Sequence, residues 1–238
     1  MILTIDIGNT SVTCGLFKNE SIIKRFNVNS FDELDNEINN VKIKKIIIAS
    51  VVPKVTKQYI DYCKINNYTN NLINYKSSQL SLKVKEPKTV GNDRICNIFA
   101  AIKLYETPAI IVDFGTATTY DVISTNNDFL GGAIGAGIET SADYLINNAA
   151  LLSKTDLQFP ENVIGIDTKE NIQSGIMYGA IDQVEGMIKR IINEKKNKYT
   201  IILTGGFSKL LSPYLSIDHI LDVDLTLKGI YYIDKSNN

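Results

Sequence analysis

Apolar runs and alternating stretches follow one another along this chain in an order that occurs twice. Residues 2–7 form a nearly continuous apolar run broken only near its end by Asp6, the pattern of a buried strand. Residues 11–17 and 21–28 read as two more strands, with Lys18-Asn19-Glu20 as the turn between them. Residues 31–39 have helical spacing, with Asn29 or Ser30 placed to cap the first turn. A second β-rich apolar run covers 45–51 and ends at Pro53, and 55–66 returns to helical spacing. The Asn-rich stretch 66–74 predicts a surface connection around one short strand. Residues 80–84 predict a strand, and 92–105 a helix that closes before Pro108.

The second half restates this order. Strands are predicted at 109–114, 118–124 and 129–134, with Asn126-Asn127 as a turn. A glycine-rich bend from Gly131-Gly132 to Gly137 leads into a helix over 139–150. Residues 169–195 predict one long helix or two adjoining ones. A strand over 199–204 then ends in Gly205-Gly206, with a short helix at 208–211 and a last helix over 225–232. Each half reads strand, strand, strand, helix, strand, helix. That alternation predicts an α/β protein of two duplicated domains, 1–107 and 108–238, each a mixed sheet flanked by helices, with a cleft between them.

Composition narrows the function. The 238 residues are 44% hydrophobic and 21% charged with a formal net charge of −1, so nothing points to a nucleic-acid partner. Cys14, Cys63 and Cys96 show no metal-type spacing and are expected to be reduced thiols. No apolar run approaches the roughly 18 residues of a membrane span. The chain opens directly in a strand, and a cytoplasmic protein without membrane partners is expected. The single histidine, His219, excludes a multi-histidine metal site and is expected to be structural.

The chemistry concentrates in four phrases. Asp6-Ile7-Gly8-Asn9-Thr10-Ser11-Val12-Thr13 follows the first strand, and Asp113-Phe114-Gly115-Thr116-Ala117-Thr118 follows the corresponding strand of the second half. Either phrase alone could be a β-turn. Written twice at equivalent strand ends, they point to a pair of phosphate loops, each offering a carboxylate, a glycine and hydroxyls. Asp6 is a natural Mg²⁺ ligand, directly or through water. Asp113 ends an apolar strand, where a carboxylate needs a cation or a hydrogen-bond network to offset its burial. Thr204-Gly205-Gly206-Phe207-Ser208 takes a strand into a helix over bare backbone, a place for a nucleoside or its phosphates. Gly91-Asn92-Asp93-Arg94 sets a carboxylate beside a guanidinium at a helix start. The pair could serve only the helix dipole and a surface ion pair. It could equally be a general base for a substrate hydroxyl beside a clamp for a substrate carboxylate. Arginine is scarce here, with only Arg25, Arg94 and Arg190 in the chain, which gives the second reading weight.

Asp-x-Gly-Asn-Thr near the start, Gly-x-Asp-Arg, Asp-x-Gly-Thr-Ala-Thr and Gly-Gly-x-Ile together resemble the type III pantothenate kinases, in order and spacing, over nearly the whole chain. That family belongs to the acetate kinase, sugar kinase, Hsp70 and actin superfamily, so the resemblance implies two ribonuclease H-like domains. It implies ATP-dependent phosphorylation of pantothenate, the first committed step of coenzyme A synthesis. Position by position it implies that Asp6 to Thr13 bind ATP phosphates and that Thr116 touches ATP. It further implies that Asp93 is the general base and that Gly91, Arg94 and Thr168 hold pantothenate. Asn92 lies within the same motif. Asp113 would hold the monovalent cation, K⁺ or NH₄⁺, and the protein would be a homodimer. Three positions depart from the family pattern. Val84 stands where a tyrosine is common, Thr13 where a lysine is common, and Gly131 to Gly137 lacks the usual proline. A kinase acting on another hydroxy acid or a sugar, or an accessory regulatory protein without turnover, is the competing expectation.

Overall fold

The computed structural model describes residues 1–148 and 155–237, which divide into two units. One comprises Met1–Tyr105 and the segment beginning at Asp224; the other is Glu106–Val223. The first unit starts with β1 (Ile2–Ile7), β2 (Val12–Lys18), β3 (Ser21–Val28), α1 (Phe31–Ile38), β4 (Lys45–Ser50), α2 (Pro53–Ile65), β5 (Asn70–Leu72) and α3 (Asn92–Leu104). The second contains β6 (Ala109–Phe114), β7 (Ala117–Ile123), β8 (Phe129–Ala136), α4 (Ile138–Asn148), α5 (Thr168–Lys195), β9 (Thr200–Thr204), α6 (Ser208–Leu211) and β10 (Ile220–Leu221). The chain then returns to the first unit as α7 (Leu225–Ser236).

The two sheets have one topology. The first runs β3-β2-β1-β4-β5 and the second, in corresponding order, β8-β7-β6-β9-β10. In each, three antiparallel strands joined by tight turns continue into two parallel ones. The predicted duplication is therefore a real repeat of topology as well as of phrase.

Side-chain alternation divides the first sheet into two covered faces. Leu3, Ile5, Ile7, Ile46 and Ile48 point to α1 and α2 and pack with Leu34, Tyr59 and Tyr62. The opposite face carries α3 and α7. There Phe17 stacks on Tyr231 with ring centroids 4.4 Å apart, and Leu227 lies over Gly15. α3 and α7 cross backbone to backbone at Gly229, where a β-carbon would overlap the Cys96 carbonyl and sit 2.8 Å from the Cys96 α-carbon. Asp234 ties α7 to the sheet by accepting from Lys45 Nζ at 2.6 and 2.8 Å and from Asn71 at 2.5 Å. In the second unit, Ile110, Val112, Phe114 and Leu203 form the covered face with Met177, Val184 and Ile188 of α5.

Three expectations change. The division at 107/108 left the last helix with the second half, yet its apolar face packs on β1, β4 and α3. Residues 80–84 contribute only a bridge at Leu82, because alternation specifies a face but not a pairing partner. The run from Gly131 onward is strand rather than bend: β8 continues to Ala136, and Gly131, at φ 109°, sits at a register shift opposite Val122/Ile123. Residues 169–195 form one helix, and the end of the helix predicted over 139–150 lies outside the described residues.

All three cysteines are free and buried. Burial, then the charges of Asp6 and Glu37, pushes Cys14 up to about 12, and burial pushes Cys63 up to about 11. The native state therefore holds these protons more tightly than the unfolded chain. Their contribution to stability is complete below the ordinary thiol value of 9.0 and is lost as pH rises through the native values. A thiol reagent at pH 8 should label none of the three in the folded protein and all three in denaturant, counted by intact mass.

Candidate active site

In the first unit, the site gathers at the carboxyl ends of the parallel strands β1 and β4, where open α/β sheets bind ligands. Asp6 is the penultimate residue of β1, flanked in the sheet by Thr13 on β2 and Ala49 on β4. These three share the face on which α3 lies. The loop from Gly8 to Ser11 closes on itself through Gly8 N–H donating to the Ser11 carbonyl at 3.0 Å. The Gly8 amide is thus engaged within the loop, and Asn9, Thr10 and Ser11 form the exposed tip. Ile7 is wholly buried and Val12 packs on the core, so their side chains support the loop from below.

Helix α3 begins beside this loop. Asn92 Nδ2 donates to the Ser50 carbonyl at 2.8 Å, and Val51 N–H donates to the Ile7 carbonyl at 3.1 Å. The Asn92 amide nitrogen thereby latches the start of α3 to β4, a contact that its motif position does not reveal. Asp93 follows in the first turn, where the helix dipole favours a carboxylate. Its Oδ1 accepts from the Arg94 N–H at 2.7 Å, and its Oδ2 has no hydrogen-bond partner among the described residues. Burial raises the Cys96 thiol well above its ordinary value, and the next causes are the charges of Asp6 and Asp93. Both carboxylates thus lie near one buried atom of the same unit. Gly91, Asn92, Asp93 and Arg94 are all half-buried, and a β-carbon on Gly91 would overlap the Asp93 carboxylate. Val84 is half-buried in the bend leading to the turn at Pro87–Thr89.

In the second unit, Asp113 occupies the position equivalent to Asp6. It lies between Thr119 on β7 and Thr204 on β9. Directly paired residues share a face, so one carboxylate and two hydroxyls point the same way. The Thr119 and Thr204 hydroxyl oxygens are buried and have no hydrogen-bond partner among the described residues. The second loop closes through Gly115 N–H donating to the Ala117 carbonyl at 3.1 Å. Thr116 is exposed, and its carbonyl accepts from Gly137 N–H at 3.1 Å and Thr140 Oγ1 at 2.7 Å. Gly205, at φ 90°, bends over Asp113 so closely that a β-carbon would overlap that carboxylate and lie 2.6 Å from the Phe114 nitrogen. Gly206 is exposed, with open space above it. Thr168 opens α5, exposed, behind a capping box in which Asp167 Oδ1 accepts from Glu170 N–H and Glu170 Oε2 accepts from Ile166 N–H. Among the described residues, no hydrogen bond joins Thr168 to the Asp113 cluster.

The arrangement suits oxygen-seeking cations. No group of three or more acidic, histidine or cysteine side chains that could hold a metal ion occurs among the described residues. The Asp113–Thr119–Thr204 set fits a weakly hydrated monovalent ion, because two orphaned hydroxyls and a carboxylate make a neutralising oxygen cradle. Of the two strand neighbours of Asp6, Thr13 carries a hydroxyl and Ala49 does not, so the two equivalent positions differ in paired residues. Sequence reading singled out Asp113 but not Thr204 as its neighbour, since strand register supplies that pairing.

Residues 2–190 match the family model described as type III pantothenate kinase. The type III pantothenate kinase of Persephonella marina is 39% identical over 98% of both chains. That of a Sulfurihydrogenibium species is 37% identical over 99% of this chain and all of its own. Among solved structures, a conserved protein of the Baf transcriptional-activator family from Campylobacter jejuni superposes with a TM-score of 0.65 at 24% identity, over 99% of this chain and 98% of its own. The activator of 2-hydroxyisocaproyl-CoA dehydratase from Clostridium difficile superposes with a TM-score of 0.56 at 14% identity, over 99% of this chain and 95% of its own. At those identities the superpositions speak to fold alone.

Proposed function

This chain belongs to the type III pantothenate kinases, and from that premise we propose which of its residues carry the reaction. The enzyme uses ATP to phosphorylate pantothenate in coenzyme A biosynthesis. Asp93 is the general base. The observation that carries this role is its carboxylate, with Oδ1 held by the Arg94 amide and Oδ2 left for a substrate hydroxyl, on a helix latched to β4 through Asn92. Oδ2 takes the proton of the primary hydroxyl as that oxygen bonds to the γ-phosphorus. The bond from phosphorus to the bridging oxygen breaks, and ADP leaves with the electron pair. Arg94 grips the pantothenate carboxylate and so fixes the hydroxyl next to Asp93. Phosphoryl transfer asks a protein mainly for such positioning and for charge neutralisation.

The loop tips at Asn9 to Ser11 and at Thr116 bind the ATP phosphates. Mg²⁺ would be held by Asp6 together with those phosphates, and K⁺ or NH₄⁺ by Asp113, Thr119 and Thr204. Both ions supply positive charge against the charge that develops on the transferring group. The protein acts as a homodimer in this reading. Val163, Ile164 and Ile166, just before Thr168, are 64, 84 and 90% exposed, which supports a second copy covering them and bringing Thr168 into its pocket.

The test is ADP release from ATP and Mg²⁺, with and without pantothenate, in K⁺ and in Na⁺. Turnover should require pantothenate and rise in K⁺. Thr204→Val keeps the side-chain shape and removes one cradle oxygen, so the K⁺ concentration for half-stimulation should rise about tenfold, the effect of one lost ligand worth roughly 1.4 kcal/mol. ATP binding without pantothenate-dependent turnover would overturn the kinase assignment. An unchanged K⁺ response in Thr204→Val would remove Thr204 from the cradle.

A further inference from the structure

The described stretch 155–167, which leads into α5, forms neither helix nor strand, long for a connection inside a compact unit. Its carbonyls have no ladder to join and need other partners. Three side chains of α5 serve them. Gln173 Nε2 donates to the Asp156 carbonyl at 2.8 Å, Ser174 Oγ to the Val163 carbonyl at 2.5 Å, and Tyr178 Oη to the Pro160 carbonyl at 3.1 Å. Phe159 is clamped between the first and last of these ties: it stacks on Tyr214 with ring centroids 3.5 Å apart and meets Tyr178 edge-on at 5.2 Å. Further along, Gly165 passes so close over the first turn of α5 that a β-carbon would lie 2.7 Å from the Asn171 nitrogen. The stretch is thus held at its start, its middle and its end, and it then hands the chain to Asp167 and Thr168.

Stability alone does not account for the polarity of Gln173 and Ser174. Met177, Ile181, Val184 and Ile188 belong to the buried stripe of α5, and Gln173 lies one turn before Met177 on that stripe. Gln173 is 2% exposed and Ser174 7%. Methionine or leucine in place of Gln173 would extend the stripe with no polar group to desolvate, whereas a buried carboxamide costs free energy unless it is hydrogen-bonded. Asp156 is exposed, so water could serve its carbonyl without Gln173. What the side chain adds is the path of one particular segment. Departures of this kind from the local pattern concentrate at functional sites.

We propose that Gln173 and Ser174, with Tyr178, are positioning residues for pantothenate: they set the course of 156–166 and, through it, the place where Thr168 meets the substrate. The inference rests on the kinase reading, which gives Thr168 to pantothenate. Helix ends fray, and Thr168 is the first helical residue of α5. The capping box of Asp167 and Glu170 closes that turn from one side. The ties at Pro160 and Val163 hold the incoming chain on the other, with Val163, Ile164 and Ile166 turned outward beside Thr168.

The test separates positioning from stability. Gln173→Met keeps the length of the side chain, continues the apolar stripe and removes the donor, so the melting temperature should hold or rise. The KM for pantothenate should nevertheless rise about tenfold, the scale of one lost hydrogen bond, while kcat at saturation and ADP affinity stay within about twofold. Ser174→Ala should move KM in the same direction. Cleavage after the exposed Glu161 by a glutamate-specific protease, run without substrate and mapped by mass, should be faster in both variants, since it reports local release of the segment. An unchanged pantothenate KM in both variants would overturn the proposal. So would a rise in KM that comes with equal losses of kcat, ADP affinity and melting temperature, the mark of general structural damage. Wild-type protein that does not phosphorylate pantothenate would instead refute the kinase reading and, with it, the substrate named here, while the cleavage rates report separately whether Gln173 and Ser174 hold the segment.

Discussion

Asp93→Asn should lower kcat about 10²- to 10⁴-fold, the range that a positioned general base contributes. The substitution keeps size and the first-turn position on α3. Asparagine's side-chain oxygen can still accept from the Arg94 N–H, as Asp93 Oδ1 does. What disappears is the proton acceptor, because the second position becomes an amide nitrogen that only donates. ADP affinity should stay near wild type, since Asp93 lies apart from the loop at Gly8 to Ser11 in sequence and makes no hydrogen bond to it. Single-turnover phosphorylation with ADP binding measured in parallel gives both numbers. A mutant within tenfold of the wild-type kcat would show that another group takes the proton.

Gly229→Ala should destabilise the protein by about 2 kcal/mol or more, at the cost typical of overpacking a tight contact. The sign is informative. In an ordinary helix interior, glycine to alanine stabilises by about 1 kcal/mol through propensity alone. Here the new β-carbon would overlap the carbonyl of Cys96 on the neighbouring helix, and backbone yields less readily than a side-chain tip. At about 2–4 °C per kcal/mol for a chain of this size, the melting temperature should fall by roughly 4–8 °C. Because α3 also carries Asp93, separating α3 from α7 should reduce activity as well. A rise in melting temperature would mean that the two helices can part at no cost.

Much of this architecture can be read without coordinates because the signals are local. A short apolar run stopped by Asp-x-Gly states both a buried strand and the place where its loop begins. Both such runs appear as central strands, β1 and β6, with their aspartates in equivalent positions. The same locality explains why Asp93 is found in the first turn of a helix. Other features are non-local. Thr204 becomes the neighbour of Asp113 across 91 residues of sequence only through the register of β9 on β6, and no spacing rule encodes that. Asn92 reads as a ligand contact in its motif, and that its amide nitrogen also donates to the carbonyl of Ser50 is not encoded there. The stretch 80–84 has the alternation of a strand without an edge to pair with. The periodicity of 225–232 predicts a helix correctly, but amphipathicity does not name the surface that it covers.

The return of α7 to the first unit has a consequence for how the protein is made. The second unit, Glu106–Val223, is one unbroken stretch of chain and can complete its core as it leaves the ribosome. The first unit cannot, although it is translated earlier. The face of its sheet that carries Thr4, Gly15 and Phe17, together with the side of α3 that meets Gly229, waits for α7. The helix that carries Asp93 thus gains α7 as its neighbour only after the whole second unit has been made. A polypeptide that stopped before Leu225 would contain every motif residue and still leave the side of α3 that meets Gly229 uncovered.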